Sequence, residues 1–237
     1  MTKMTKSLGI KDWLLRYKQL FLNPGLFFHD IRKEKEIGPV VIFVAVLSLI
    51  AAALNFVFAL PSLIGQGASG VMQIVFSSIM IILEPIFTLL AIFLIAGVLY
   101  YLFRWIVSSK VDFAPLFKVV GYSRTIAVPY AIVSALLFFV FELATPGNLY
   151  ASFASGAGIL ESTPTIVLFV LGGILSVASF IHVLYAMTSG VVLYENISFG
   201  KSIGMILLAT IVVIVAILLL SGLVTGMIFA VLGTALA

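Results

Sequence analysis

The sequence predicts an all-α polytopic membrane protein: a bundle of five transmembrane helices preceded by an amphipathic, interfacial N-terminal helix. Three observations carry that prediction. The chain is 63% hydrophobic and 9% charged, against about 25% charged for an ordinary soluble domain. Its apolar residues fall in runs at 39–60, 83–103, 119–143, 164–194 and 202–234, each long enough to cross a hydrocarbon core of about 30 Å. All thirteen Lys and Arg residues lie on one side of the topology those runs dictate. Segments 61–82 and 144–163 and the C-terminal end carry no Lys or Arg. Cationic flanks stay in the cytoplasm during insertion, so the N-terminus is expected in the cytoplasm and the C-terminus outside. The expected organisation is a cytoplasmic segment 1–37 and a membrane domain 38–237, placed in the cell membrane.

The N-terminal segment is amphipathic. In 8–22, Ile10, Trp13, Leu14, Tyr17, Leu20 and Phe21 recur at helical spacing, with Lys11, Asp12, Arg16, Lys18 and Gln19 opposite. Asn23, Pro24 and Gly25 break that helix. A second short helix is predicted from Pro24, with Phe27, Phe28 and Ile31 on one face and Asp30, Arg32, Lys33 and Glu34 on the other. A basic amphipathic helix beside a membrane span lies in the headgroup layer. Lys11, Arg16, Lys18, Arg32, Lys33 and Lys35 are therefore the expected contacts to anionic headgroups, with Trp13, Leu14, Phe27 and Phe28 entering the acyl boundary.

The first span opens at Gly38 and Pro39, where a proline lacks only an N–H that had no helical partner. The stretch 71–103 would reach about 50 Å as one helix, and Glu84 and Pro85 divide it. Residues 85–103 suffice to span, leaving 71–83 as either an interfacial helix or an extension. Tyr100, Tyr101 and Trp105 mark an aromatic belt at the inner end. Pro129 is expected to kink the third span. Gly172, Gly173, Ser176 and Ser179 in the fourth span, and Gly222 and Gly226 in the fifth, have the small-residue spacing that lets helices approach within a bundle.

Composition excludes several chemistries. The net charge of +4 comes from the flanks and suits an anionic lipid surface, and no basic patch interleaved with aromatics points to nucleic acid. Without cysteine there are no disulfides, thiol nucleophiles or Cys-ligated metals. No metal-protease helix motif, phosphate-binding glycine loop or carboxylate cluster at metal spacing occurs, so no catalytic, cofactor or metal residue is expected. The polar residues inside the spans are functional candidates by default: Asn55, Glu84, Arg124 and His182. Arg124 lies roughly 9 Å of helix past Lys118 and can snorkel to the cytoplasmic headgroups or pair with Glu195. Glu84 lies roughly 30 Å of helix from Arg104, at the outer interface. His182 sits near the midplane, either a structural imidazole bonded to a Ser, Tyr or carbonyl, or a group that handles a proton or solute.

The order of several short motifs resembles the Yip family (Ypt-interacting proteins). Glu36, Ile37, Gly38 and Pro39 are similar to its acidic-Leu-aromatic-Gly-Pro motif, although Ile37 leaves no room for the aromatic position. Gly121, Tyr122 and Ser123, followed by Pro129, resemble its Gly-Tyr-Ser…Pro motif. The run Leu22 to Phe28, and the segment around Gly190, Phe199, Gly200 and Lys201, resemble the short prokaryotic-type members. The resemblance implies five spans and a cytoplasmic N-terminus. Eukaryotic relatives bind small GTPases through a long cytosolic N-terminal region, for which this chain has about 38 residues, so that activity is not carried over. The function expected is organisation or shaping of the membrane, or recruitment of a protein partner at the cytoplasmic face, with the bilayer or a homo-oligomer as further partners. The alternative is a small-solute or ion permease whose path passes Glu84, His182 and Asn55. At the cytoplasmic interface the first and third spans are expected to pack through Gly38, Pro39, Gly121 and Tyr122, with Glu36 paired to Lys118 or Arg124.

Overall fold

A computed structural model describes residues 10–34, 36–64, 68–108, 110, 112–144 and 163–235. Among them are eight helices and no strand: α1 (Ile10–Leu22), α2 (Pro24–Ile31), α3 (Gly38–Ile64), α4 (Ala68–Ile106), α5 (Phe113–Thr125), α6 (Ala127–Ala144), α7 (Thr163–Glu195) and α8 (Phe199–Ala235). Among the described residues five stretches are long and apolar enough to cross a membrane: Gly38–Pro61, Gly70–Ile106, Phe113–Phe141, Ile166–Glu195 and Phe199–Leu219.

The two N-terminal helices form a hairpin. The Asn23 side chain caps α2, its Oδ1 accepting from the Leu26 N–H at 3.3 Å, and Pro24 follows in the first turn. Two cross-links hold the hairpin closed: Arg16 to Glu34 at 3.0 Å and Gln19 to Asp30 at 2.7 Å. The hairpin's apolar face is turned into the bundle. Leu20, Phe27, Phe28 and Ile31 are buried, and α2 packs along α7. Trp13, Phe27 and Phe28 therefore meet protein rather than lipid. Trp13 stacks its ring 5.0 Å from that of Phe43 on α3. Of the residues expected in the acyl boundary, Leu14 alone is exposed, and it is joined by Leu15, Leu22 and Leu26.

α4 runs unbroken through Pro85, so 71–83 extends the second span. The third span is broken. α5 ends at Thr125 and α6 starts at Ala127, because Pro129 cannot donate to the Thr125 carbonyl and its ring crowds it. The two halves have different surroundings. Leu116 through Ser123 are all buried, more than two turns enclosed on every face, so α5 is a central helix. It touches α3, α4 and α7, while neighbour packing runs α3, α4, α8, α7, α6 and back to α3. Beyond the break, α6 joins the outer circle.

The core gathers where α5 is. Val40, Phe43 and Val44 of α3, Ile92, Ala96, Leu99 and Phe103 of α4, Ala186, Met187 and Val191 of α7 and Met205, Ile206 and Ala209 of α8 pack around it, with the hairpin closing the end. This is also the end that carries the basic residues, here called the basic end. Gly190 makes the packing of α7 possible: a Cβ there would lie 2.7 and 2.8 Å from the Val119 methyls and 3.0 Å from the Phe28 ring. Gly172 and Gly173 have nothing within 4 Å, so the expected small-residue contact of α7 lies at Gly190 instead. For Gly222 and Gly226 the side-chain surroundings fall outside the described residues.

Candidate functional sites at the basic end and between the spans

The motif residues meet at the joint of α1, α2, α3 and α5. A Cβ on Gly121 would lie 2.7 Å from Val40 and 3.7 Å from Val44, so this glycine sets how closely α5 approaches α3. Tyr122 is buried with its ring 5.4 Å from Phe43 and 4.9 Å from Phe27, both edge-on, the arrangement that aromatic quadrupoles favour. The expected contact between the first and third spans is thus present, made through Val40 and Phe43. Gly38 has open space around it and Pro39 is half-buried. Ser123 is fully enclosed.

Pro129 acts at a distance. It leaves the Thr125 carbonyl without its helical donor, and a buried carbonyl without a donor is costly. The Tyr17 hydroxyl of α1 donates to it at 2.9 Å. Tyr17 was legible as a member of the apolar face of α1; that its hydroxyl answers the proline four residues past Thr125 was not. Burial pushes the ionisation of this hydroxyl above its usual range, which keeps it a donor.

Lys118 is buried, and its Nζ donates to the Glu34 carbonyl in the turn after α2. The expected pairing of Lys118 with Glu36 is replaced by this bond, and Glu36 is exposed. Arg16 is held by Glu34, so it is not a free headgroup contact. Lys11, Lys18, Arg32 and Lys33 are exposed on the hairpin; Lys35 lies outside the described residues.

Of the four polar residues expected within the spans, three share one feature. Asn55, Glu84 and Arg124 line a groove of about 480 Å³ between α3, α4 and the α5–α6 break. His182 is elsewhere. Its Nε2 donates to the Phe21 carbonyl at 2.8 Å, and in that tautomer its Nδ1 accepts from the Tyr130 hydroxyl at 3.1 Å. The Phe21 carbonyl belongs to the last turn of α1, where carbonyls lack helical partners. His182 thus ties α1 to α6 and α7. The groove that holds Glu84 and Asn55 is not lined by His182. No group of three or more His, Asp or Glu suited to a metal occurs among the described residues.

Helices of this length and polarity, packed around a buried central helix, define a multi-pass membrane protein. The Yip1 domain model matches residues 18–220, which takes in the hairpin from Lys18, both motifs and all five spans. The chain belongs to the Yip1 domain family. No curated protein and no solved structure matches it.

Proposed function

We propose that the protein is a non-enzymatic scaffold of the cell membrane that organises or shapes the bilayer, or recruits a protein partner, through a rigid cytoplasmic face. The observation that supports this reading is the docking of the hairpin. Its aromatic side is locked into the core by Tyr17, Leu20, Phe27 and Phe28, so its outer side is held as a fixed surface. That surface carries Lys11, Lys18, Arg32 and Lys33 beside exposed Leu14, Leu15, Leu22 and Leu26. Cations beside a shallow apolar strip suit the anionic inner leaflet, each exposed Lys or Arg adding about 1 kcal/mol near such a surface. The N-terminus lies in the cytoplasm in this reading, which the distribution of Lys and Arg supports.

The test is reconstitution into vesicles containing anionic lipid, imaged at rising protein density. Wild type is expected to narrow or tubulate the vesicles, and the effect is expected to fall with added salt. Lys11→Glu, Lys18→Glu and Lys33→Glu together, which leave the Arg16–Glu34 pair intact, are expected to abolish it. Equal remodelling by that triple variant, or in purely zwitterionic vesicles, contradicts the electrostatic reading.

A further inference from the structure

The geometry points to the groove between α3, α4 and the α5–α6 break as a binding site for a zwitterionic aminophospholipid, its phosphate held by Arg124 and its ammonium by Glu84. The structure brings Glu84, expected at the outer interface, into one groove with Arg124; both side chains are exposed, and among the described residues they form no ion pair with one another. Each lies within a stretch long and apolar enough to cross a membrane, where an unmatched charge is costly. A ligand with one anion and one cation satisfies both. Guanidinium presents a planar fork of donors that matches a phosphate. The Glu84 carboxylate already accepts from the Thr88 hydroxyl at 3.2 Å, which fixes its rotamer and leaves its other oxygen for an ammonium.

The rest of the groove argues for a lipid over a free zwitterion. It follows α3 over residues 44–59, roughly 22 Å of helix, which an acyl chain fills and an amino acid does not. Ala51, Ala52, Ala59 and Ala131 line it; their small side chains leave the room. α4 and α6 pack on α3 rather than on one another, so the groove lies between two walls that share a floor. The break at Ile126 adjoins it: Arg124 and Thr125 at the end of α5 and Ala127 and Val128 at the start of α6 line the groove.

The proposal is tested on the full chain purified in mild detergent from membranes containing phosphatidylethanolamine and phosphatidylglycerol, with retained lipid quantified by mass spectrometry. Retention of phosphatidylethanolamine over phosphatidylglycerol is expected. Arg124→Gln and Glu84→Gln are each expected to lower it about tenfold, the loss of one charge-assisted hydrogen bond. Lys110→Gln, exposed in the connection between α4 and α5, is expected to leave it unchanged. Should Arg124→Gln not elute as a folded species, Ala131→Leu narrows the groove without touching charge and is expected to lower retention likewise. Unchanged retention in the folded groove variants, or preference for phosphatidylglycerol, overturns the assignment. A second arm incubates delipidated protein with glycerophosphoethanolamine or a free amino acid. Binding of either with the same dependence on Arg124 and Glu84, and with no gain from an acyl chain, overturns the lipid in favour of a soluble zwitterion.

Discussion

The Tyr17 hydroxyl donates to the Thr125 carbonyl that Pro129 leaves without a helical partner. One hydrogen bond thereby joins the N-terminal hairpin to the break in the third span. The proline of the family motif and a tyrosine more than a hundred residues earlier form one structural unit.

That coupling is measurable as a double-mutant cycle in detergent. Tyr17→Phe is expected to cost about 1–2 kcal/mol, because it leaves a buried carbonyl unsatisfied. Pro129→Ala supplies an N–H to the same carbonyl, so Tyr17→Phe is expected to cost distinctly less in that background. Additive losses contradict the coupling.

The pH dependence of the same bond follows from burial, which raises the ionisation of Tyr17 in the folded state. The stability it contributes is fully present below the ordinary tyrosine value of about 10. It is lost only as pH rises beyond that value toward the folded one. Unfolding profiles of wild type and Tyr17→Phe are expected to stay parallel from neutral pH to about 9 and to converge above the ordinary tyrosine value. Convergence already between about pH 6 and 8 rules Tyr17 out as the source.

Glycines divide by their surroundings. Gly190→Ala would drive a methyl into Val119 and Phe28 and is expected to destabilise by about 1–3 kcal/mol, with relief from a second change, Val119→Ala. Gly97→Ala and Gly173→Ala meet open space and are expected to be neutral or to stabilise by up to about 1 kcal/mol through helix propensity. The thermal midpoints of the variants decide; equal effects at Gly190 and Gly97 would remove the packing argument.

Tyr122 packs by its ring. Tyr122→Phe keeps the contacts to Phe27 and Phe43 and is expected to be mild, whereas Tyr122→Ala empties the joint at about 3–5 kcal/mol. Expression and monodispersity in detergent report the difference. A severe Tyr122→Phe shifts the motif's role to the hydroxyl.

Because the chain has no cysteine, topology can be mapped with single cysteines. Cysteine in place of Ser109 or Ser198, in connections at the basic end, is expected to be protected from an impermeant thiol reagent in intact cells. Cysteine in place of Ser155, between α6 and α7, is expected to react. Labelling of the Ser109 site from outside contradicts a cytoplasmic N-terminus with five spans.

Hydropathy made the five spans readable, because each is a long, predominantly apolar run and needs no tertiary information. The α1–α2 hairpin was readable from its 3.6-residue period and from Asn23 and Pro24. Which solvent its apolar face meets was not: periodicity is the same against lipid and against protein, so Phe27 and Phe28 read as lipid anchors while packing on Tyr122 and Gly190. The break at Ile126 followed from Pro129. The enclosure of α5 did not, since buried and lipid-facing apolar helices share one composition. For the same reason sequence could propose Asn55, Glu84, Arg124 and His182 as candidates but could not sort them. The partners that separate His182 from the other three, the Phe21 carbonyl and the Tyr130 hydroxyl, lie on distant segments.

The central claim is that the N-terminal hairpin is a built-in part of the membrane domain rather than a helix floating in the headgroups. Trp13→Cys and Phe43→Cys, whose native rings stand 5.0 Å apart, test it most directly in native membranes with a short bifunctional thiol reagent. Efficient cross-linking within one chain, lost when Tyr17 and Phe28 are also replaced by Ala, is the expected result. If both cysteines react singly and no intramolecular cross-link forms, α1 lies free on the membrane and the account of the hairpin fails.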